Sequence, residues 1–156
     1  MSEQTHSYDT EIEWIGEHKG EVRATGFPTL TVATPPEFKG HEGIWTPEHF
    51  FVASVNACLM TTFLAIAELS KLNFVAFRSW AQGKLEKVEG QGVQITEIVL
   101  RPHVTVTQER DRERAERILE KAEKNCFISN SIKSKVSLEP EISVAESAGT
   151  SACAGE

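Results

Sequence analysis

An α+β fold, with antiparallel sheets around one long buried helix, is predicted by three observations. Residues 50–69 are apolar almost throughout, a run suited to a helix of several turns. Residues 74–88 and 93–107 are rich in β-branched and aromatic side chains and flank Glu89-Gly90-Gln91-Gly92, the pattern of an antiparallel hairpin. A highly charged segment with a narrow apolar stripe follows, and a short strand closes the order.

At the N-terminal end, residues 10–16 and 21–34 read as strands joined at Glu17-His18-Lys19-Gly20, with a bend or edge at Phe27-Pro28. Pro and Gly density makes residues 35–43 an ordered loop, a natural pocket rim. Thr46-Pro47-Glu48 is a helix start: a hydroxyl cap, proline in the first turn and an acid at the positive end of the dipole. The helix runs to about Leu69, and its all-round apolarity implies burial on every side, with a second subunit covering one face.

In the hairpin, Val93 and Ile95 are out of phase with Ile98, Leu100, Val104 and Val106, which predicts a bulge near Thr96-Glu97. Pro102 lacks a ladder donor and belongs at an edge or irregularity. Residues 111–124 form a surface helix whose stripe is Ala115, Ile118, Leu119 and Ala122. The stretch Cys126 to Asn130 opens a new turn whose free amides favour a thiolate. A single strand over residues 136–142 completes one domain of residues 1–144. Residues 145–156 are small and polar enough for a disordered tail, in which Cys153 is a spare thiol.

The chain has 156 residues and a net charge of -7, without the clustered Lys and Arg that a nucleic-acid partner needs. The apolar run approaches the length of a bilayer span, but Ser54, Asn56, Thr61, Thr62 and Glu68 interrupt it and neither flank is strongly basic. No span is therefore expected. The first residues carry no export signal, so the expectation is a cytoplasmic protein in which the three cysteines build no disulfide scaffold and a disulfide is transient and functional.

Cys58 and Cys126 then become the chemical candidates. An apolar helix raises a thiol's pKa, so a reactive Cys58 needs a cation or donors nearby, and Ser54, Thr61 and Thr62 are its neighbours at helical spacing. The plain alternative is a buried structural cysteine for one and a small packing residue at a helix end for the other. Glu48 is equally explained by the helix dipole, and Arg23 by a surface strand. His41 and His49 offer a base for a Cys/His acyl-transfer site, though neither has a partner at a recognisable spacing. No CxxC or HxxxH pair suggests a metal, and no cofactor is expected.

Thr46-Pro47-Glu48-His49-Phe50-Phe51 with Val55-Asn56-Ala57-Cys58 resembles the first signature of the OsmC/Ohr family, and Cys126-Phe127-Ile128-Ser129-Asn130 resembles its second, usually written CPxSN. The resemblance covers the chain apart from its tail. It implies an intertwined homodimer and a thiol-dependent peroxidase that reduces organic hydroperoxides, reset by an external dithiol reductant. It further implies that Cys58 attacks the peroxide, Cys126 resolves the sulfenic acid, and Glu48 helps hold an arginine that polarises the thiolate. Two positions depart from the pattern. The hairpin position that carries that arginine falls at Glu17, leaving Arg23 as the candidate cation, and Phe127 stands in place of the proline after the second cysteine. The alternative is a dimeric binding or stress-related protein of the same fold with weak or no turnover.

Overall fold

The computed structural model describes residues 3–146; the expected tail from residue 147 onward, with Cys153, lies outside the described residues. The chain forms two compact units that part between Phe51 and Val52.

The first unit holds β1 (Glu11–Gly16), β2 (Lys19–Arg23) and β3 (Leu30–Ala33), an antiparallel sheet in that order. The strand expected over residues 21–34 is two strands. Phe27 N–H closes a turn on the Ala24 carbonyl at 3.0 Å, Gly26 takes a φ of 84°, and Pro28 follows. Gly40 closes the next loop against β3, where a Cβ would lie 1.6 Å from the Thr34 carbonyl oxygen, so no other residue fits. Five residues later the chain runs beside Val32 at Trp45. This small sheet leaves Ile12, Trp14, Phe27 and Trp45 exposed.

α1 (Pro47–Leu69) starts in the first unit. Thr46 caps it as expected: its Oγ1 accepts from the His49 N–H at 3.1 Å while its carbonyl accepts from Phe50 N–H at 2.9 Å.

In the second unit, β4 (Phe74–Val88) and β5 (Gly92–Val106) form the long hairpin. Lys84 pairs with Glu97 and Leu85 with Ile95, so Thr96 is the extra residue, the bulge that the phase change predicts. α2 (Arg112–Lys124) buries the expected stripe of Ala115, Ile118, Leu119 and Ala122. The closing strand is two strands, β6 (Lys135–Leu138) and β7 (Glu141–Val144), interrupted at Glu139-Pro140. Both run parallel to β5, so the sheet is mixed rather than antiparallel, because the chain crosses over through α2 before returning.

Pro102 is fully buried in β5, the central strand, not on an edge. The carbonyls of Leu100 and Val106 accept from Glu139 and Ala145, so the even-numbered backbone groups of β5 face the β6/β7 side. β6 pairs only as far as Leu100 and β7 begins at His103, so proline's missing donor falls in the gap between them.

α1 buries a single stripe within the chain: Val55, Leu59, Phe63 and Ala67. Phe63 packs edge-on to Phe74 and tilted against Phe77, with centroids 5.3 and 5.1 Å away. Asn56 Nδ2 donates to the Ser79 carbonyl at 3.0 Å, fixing the helix across β4. The helix is long and apolar enough by length and composition to cross a bilayer. The all-round burial expected of it is not met by one chain, since Met60, Leu64 and Leu69 remain exposed.

Candidate active site

Cys58 lies one position before buried Leu59 and three after buried Val55, so it borders the packed stripe of α1 and is half-buried. Two threonines follow it on the helix and do different things. Thr61 Oγ1 turns back to donate to the Cys58 carbonyl at 3.2 Å, whereas Thr62 Oγ1 lies 3.8 Å from Cys58 Sγ. One helical turn therefore supplies one hydroxyl to the sulfur.

Cys126 stands just beyond α2, where its N–H bonds the Glu123 carbonyl at 3.3 Å. Its side chain has 0% exposure. The following residues fold into a tight turn: Asn130 N–H reaches the Cys126 carbonyl at 3.0 Å, Ser131 N–H the Ile128 carbonyl at 3.0 Å, and Ser131 Oγ donates to the Phe127 carbonyl at 2.6 Å. Ser129 N–H points at Cys126 Sγ from 3.5 Å. The turn anticipated after Cys126 is present, and it brings donors to both sulfurs.

The two cysteines are free thiols in hydrogen-bonding reach of each other, and their acidities move apart. At Cys58 burial pushes the pKa up. The Cys126 thiol, the Ile128 N–H, the Thr62 hydroxyl and the Phe127 N–H oppose it, and the net direction is down. At Cys126 burial again pushes up, and the neighbouring Cys58 adds to it against the Ser129 donors, so the net direction is up. Cys58 is thus the more acidic thiol of the pair and Cys126 the less acidic. The Ser129 hydroxyl, buried beside Cys126, is one of those donors.

The other two candidates belong to the first unit. Arg23 pairs with Glu13 at 3.1 Å and with Glu21, and those two carboxylates raise its pKa. Both partners lie on its own sheet. Glu48 stands ten residues before Cys58 on the uninterrupted α1, about 15 Å of helical rise. Its Oε2 is buried and without a hydrogen-bond partner. Glu17, at the hairpin position, takes Lys19 at 3.2 Å and His41 at 3.4 Å. His49 Nδ1 sits 2.7 Å from Thr46 Oγ1, a partner within its own unit.

Among the described residues, no three His, Cys, Asp or Glu side chains gather into a metal site. The amides of Phe127 and Ile128 are the site groups that sequence reasoning misses. A turn after Cys126 was legible, but its service to Cys58, far away in sequence, was not.

The family model described as OsmC-like protein matches residues 40–141. Three solved structures share the fold. An OsmC-like protein of unknown function from Vibrio cholerae is 24% identical with a TM-score of 0.81, over 87% of this chain and 99% of its own. An organic hydroperoxide resistance protein OsmC from Legionella pneumophila is 26% identical with a TM-score of 0.67, over 90% of this chain and 100% of its own. An organic hydroperoxide resistance protein from Elizabethkingia anophelis is 20% identical with a TM-score of 0.71, over 91% of this chain and 100% of its own. No curated protein sequence matches the chain.

Proposed function

Since the chain belongs to the OsmC-like protein family, we propose that it is a thiol-dependent peroxidase that reduces organic hydroperoxides to alcohols through Cys58 and Cys126. The observation that carries this reading is the pairing of an acidified, half-buried thiol with a buried thiol of raised pKa. A peroxidatic sulfur must be a thiolate that solvent reaches, and a resolving thiol must lie close enough to condense with the sulfenic acid that forms.

The reaction divides into three steps. The Cys58 thiolate attacks the outer oxygen of ROOH, the O–O bond breaks, and the alkoxide leaves as ROH on taking a proton. Cys58 is then a sulfenic acid. The Cys126 thiol attacks that sulfur, an S–S bond forms, and water leaves with the hydroxyl and the Cys126 proton. An external dithiol then reduces the disulfide and is itself oxidised. Names of relatives from Legionella pneumophila and Elizabethkingia anophelis support organic hydroperoxides as the substrate class.

The working form is a homodimer. The open apolar side chains of α1 and of the β1–β3 sheet are the surface that a second copy would bury. One observation favours the alternative, a binding or stress-related protein with weak turnover: Arg23 is engaged by two carboxylates, and the hairpin position is Glu17.

The test is stoichiometric organic hydroperoxide followed by thiol mapping by mass spectrometry. A Cys58–Cys126 disulfide is expected in the wild type, and a dimedone-trapped sulfenate at Cys58 in Cys126→Ser. Absence of both products removes the peroxidase reading.

A further inference from the structure

The turn after Cys126 distributes its amides unevenly. Cys126, Asn130 and Ser131 N–H groups bond backbone carbonyls, and Ser129 N–H points at Cys126 Sγ. Among the described residues, no carbonyl accepts from Phe127 or Ile128 N–H, and both of these groups face the Cys58 sulfur instead. The turn holds its shape without them, through the Asn130 and Ser131 bonds and the Ser131 hydroxyl.

Phe127 contributes little else here. Its side chain is 82% exposed, so packing does not account for a phenyl at this position. What matters is that it is not proline, which has no N–H to give. The cation anticipated for the thiolate, Arg23, is itself paired with two carboxylates, Glu13 and Glu21. We propose that the Phe127 peptide N–H is a positioning and activating group for the Cys58 thiolate, which with the Ile128 N–H and the Thr62 hydroxyl takes the part of a cation. This deepens the peroxidase reading by naming what makes its nucleophile reactive, and it rests on Cys58 being the reactive sulfur.

An uncharged peptide donor suits a half-buried sulfur. It stabilises a developing negative charge at fixed distance without carrying a net charge into the site. Being backbone, it is retained by every substitution at this position except proline.

The experiment reads the pH profile of Cys58 alkylation by iodoacetamide, mapped by mass spectrometry in the otherwise intact protein. Phe127→Ala keeps the N–H and is expected to keep the wild-type profile. Phe127→Pro removes it and moves the profile to higher pH. About tenfold less thiolate, each about threefold more nucleophilic, gives a rate about threefold lower below the midpoint and higher on the alkaline plateau. Should proline disturb the turn, an amide-to-ester exchange at residue 127 removes the N–H alone. Native ligation at Cys126 permits it, joining residues 1–125 to a synthetic 126–156 segment. A wild-type profile in the ester protein overturns the proposal, as does an alanine variant shifted as far as the ester. Alkylation needs no peroxide, so a shifted profile in a protein inert to hydroperoxide would remove the peroxidase reading and leave this one standing.

Discussion

Taking away the Cys126 thiol separates the two roles that its sulfur plays. Its S–H is the foremost group lowering the Cys58 pKa, ahead of the Ile128 N–H, so Cys126→Ala raises the Cys58 pKa. The sign follows directly: a lost donor destabilises the thiolate, and the alkylation profile of Cys58 moves to higher pH. Cys126→Ser keeps an O–H at the position and is expected to move the profile less, although neither variant can form the disulfide. In the wild type, Cys58 should be carbamidomethylated well before Cys126 near neutral pH, as mapped peptides from a short iodoacetamide pulse will show. At this scale the sequence was partly legible. Thr62 was predictable from helical spacing, since a residue four positions on shares the face of Cys58. The Phe127 and Ile128 amides were not, because donors on a turn beyond α2 reach α1 only through the fold.

α1 and β4 meet closely at Gly83, where a Cβ would lie 2.5 Å from Val52 Cγ2. Valine is stiff about χ1 and does not swing clear, so Gly83→Ala is expected to destabilise the fold by about 1–3 kcal/mol. Val52→Ala opens the space, so the double variant should recover part of that loss in a denaturant titration. Recovery absent from the double variant would mean that the strain lies in the β4 backbone. Elements were legible wherever hydrophobic phase carries the signal. The Thr96 bulge follows from the slip between Ile95 and Ile98, and the α2 stripe from its spacing of three and four. Features set by pairing partners were not legible. Pro102 tolerates a central strand only because β6 stops and β7 starts beside it, and no local pattern announces that gap. The split of the last strand has a local cause, Pro140, which an alternation of Val136, Leu138 and Ile142 conceals.

Over the whole molecule, apolar content exceeds what one chain covers. α1 is apolar around its circumference yet buries one stripe, with Met60 and Leu64 each 39% exposed. In the homodimer proposed above these side chains face the second copy, so Leu64→Glu is expected to lower the measured mass from dimer to monomer in analytical ultracentrifugation. An unchanged dimer would place the interface elsewhere, on surfaces such as the β1–β3 sheet. In the cycle proposed above, the unequal exposure of the two sulfurs also bears on the regiochemistry of recovery. Solvent reaches Cys58 and not Cys126, so an incoming reductant must make its mixed disulfide on Cys58 and expel Cys126 as the leaving group. A leaving thiol of higher pKa departs more slowly, so the burial that raises the Cys126 pKa is expected to slow this reduction step.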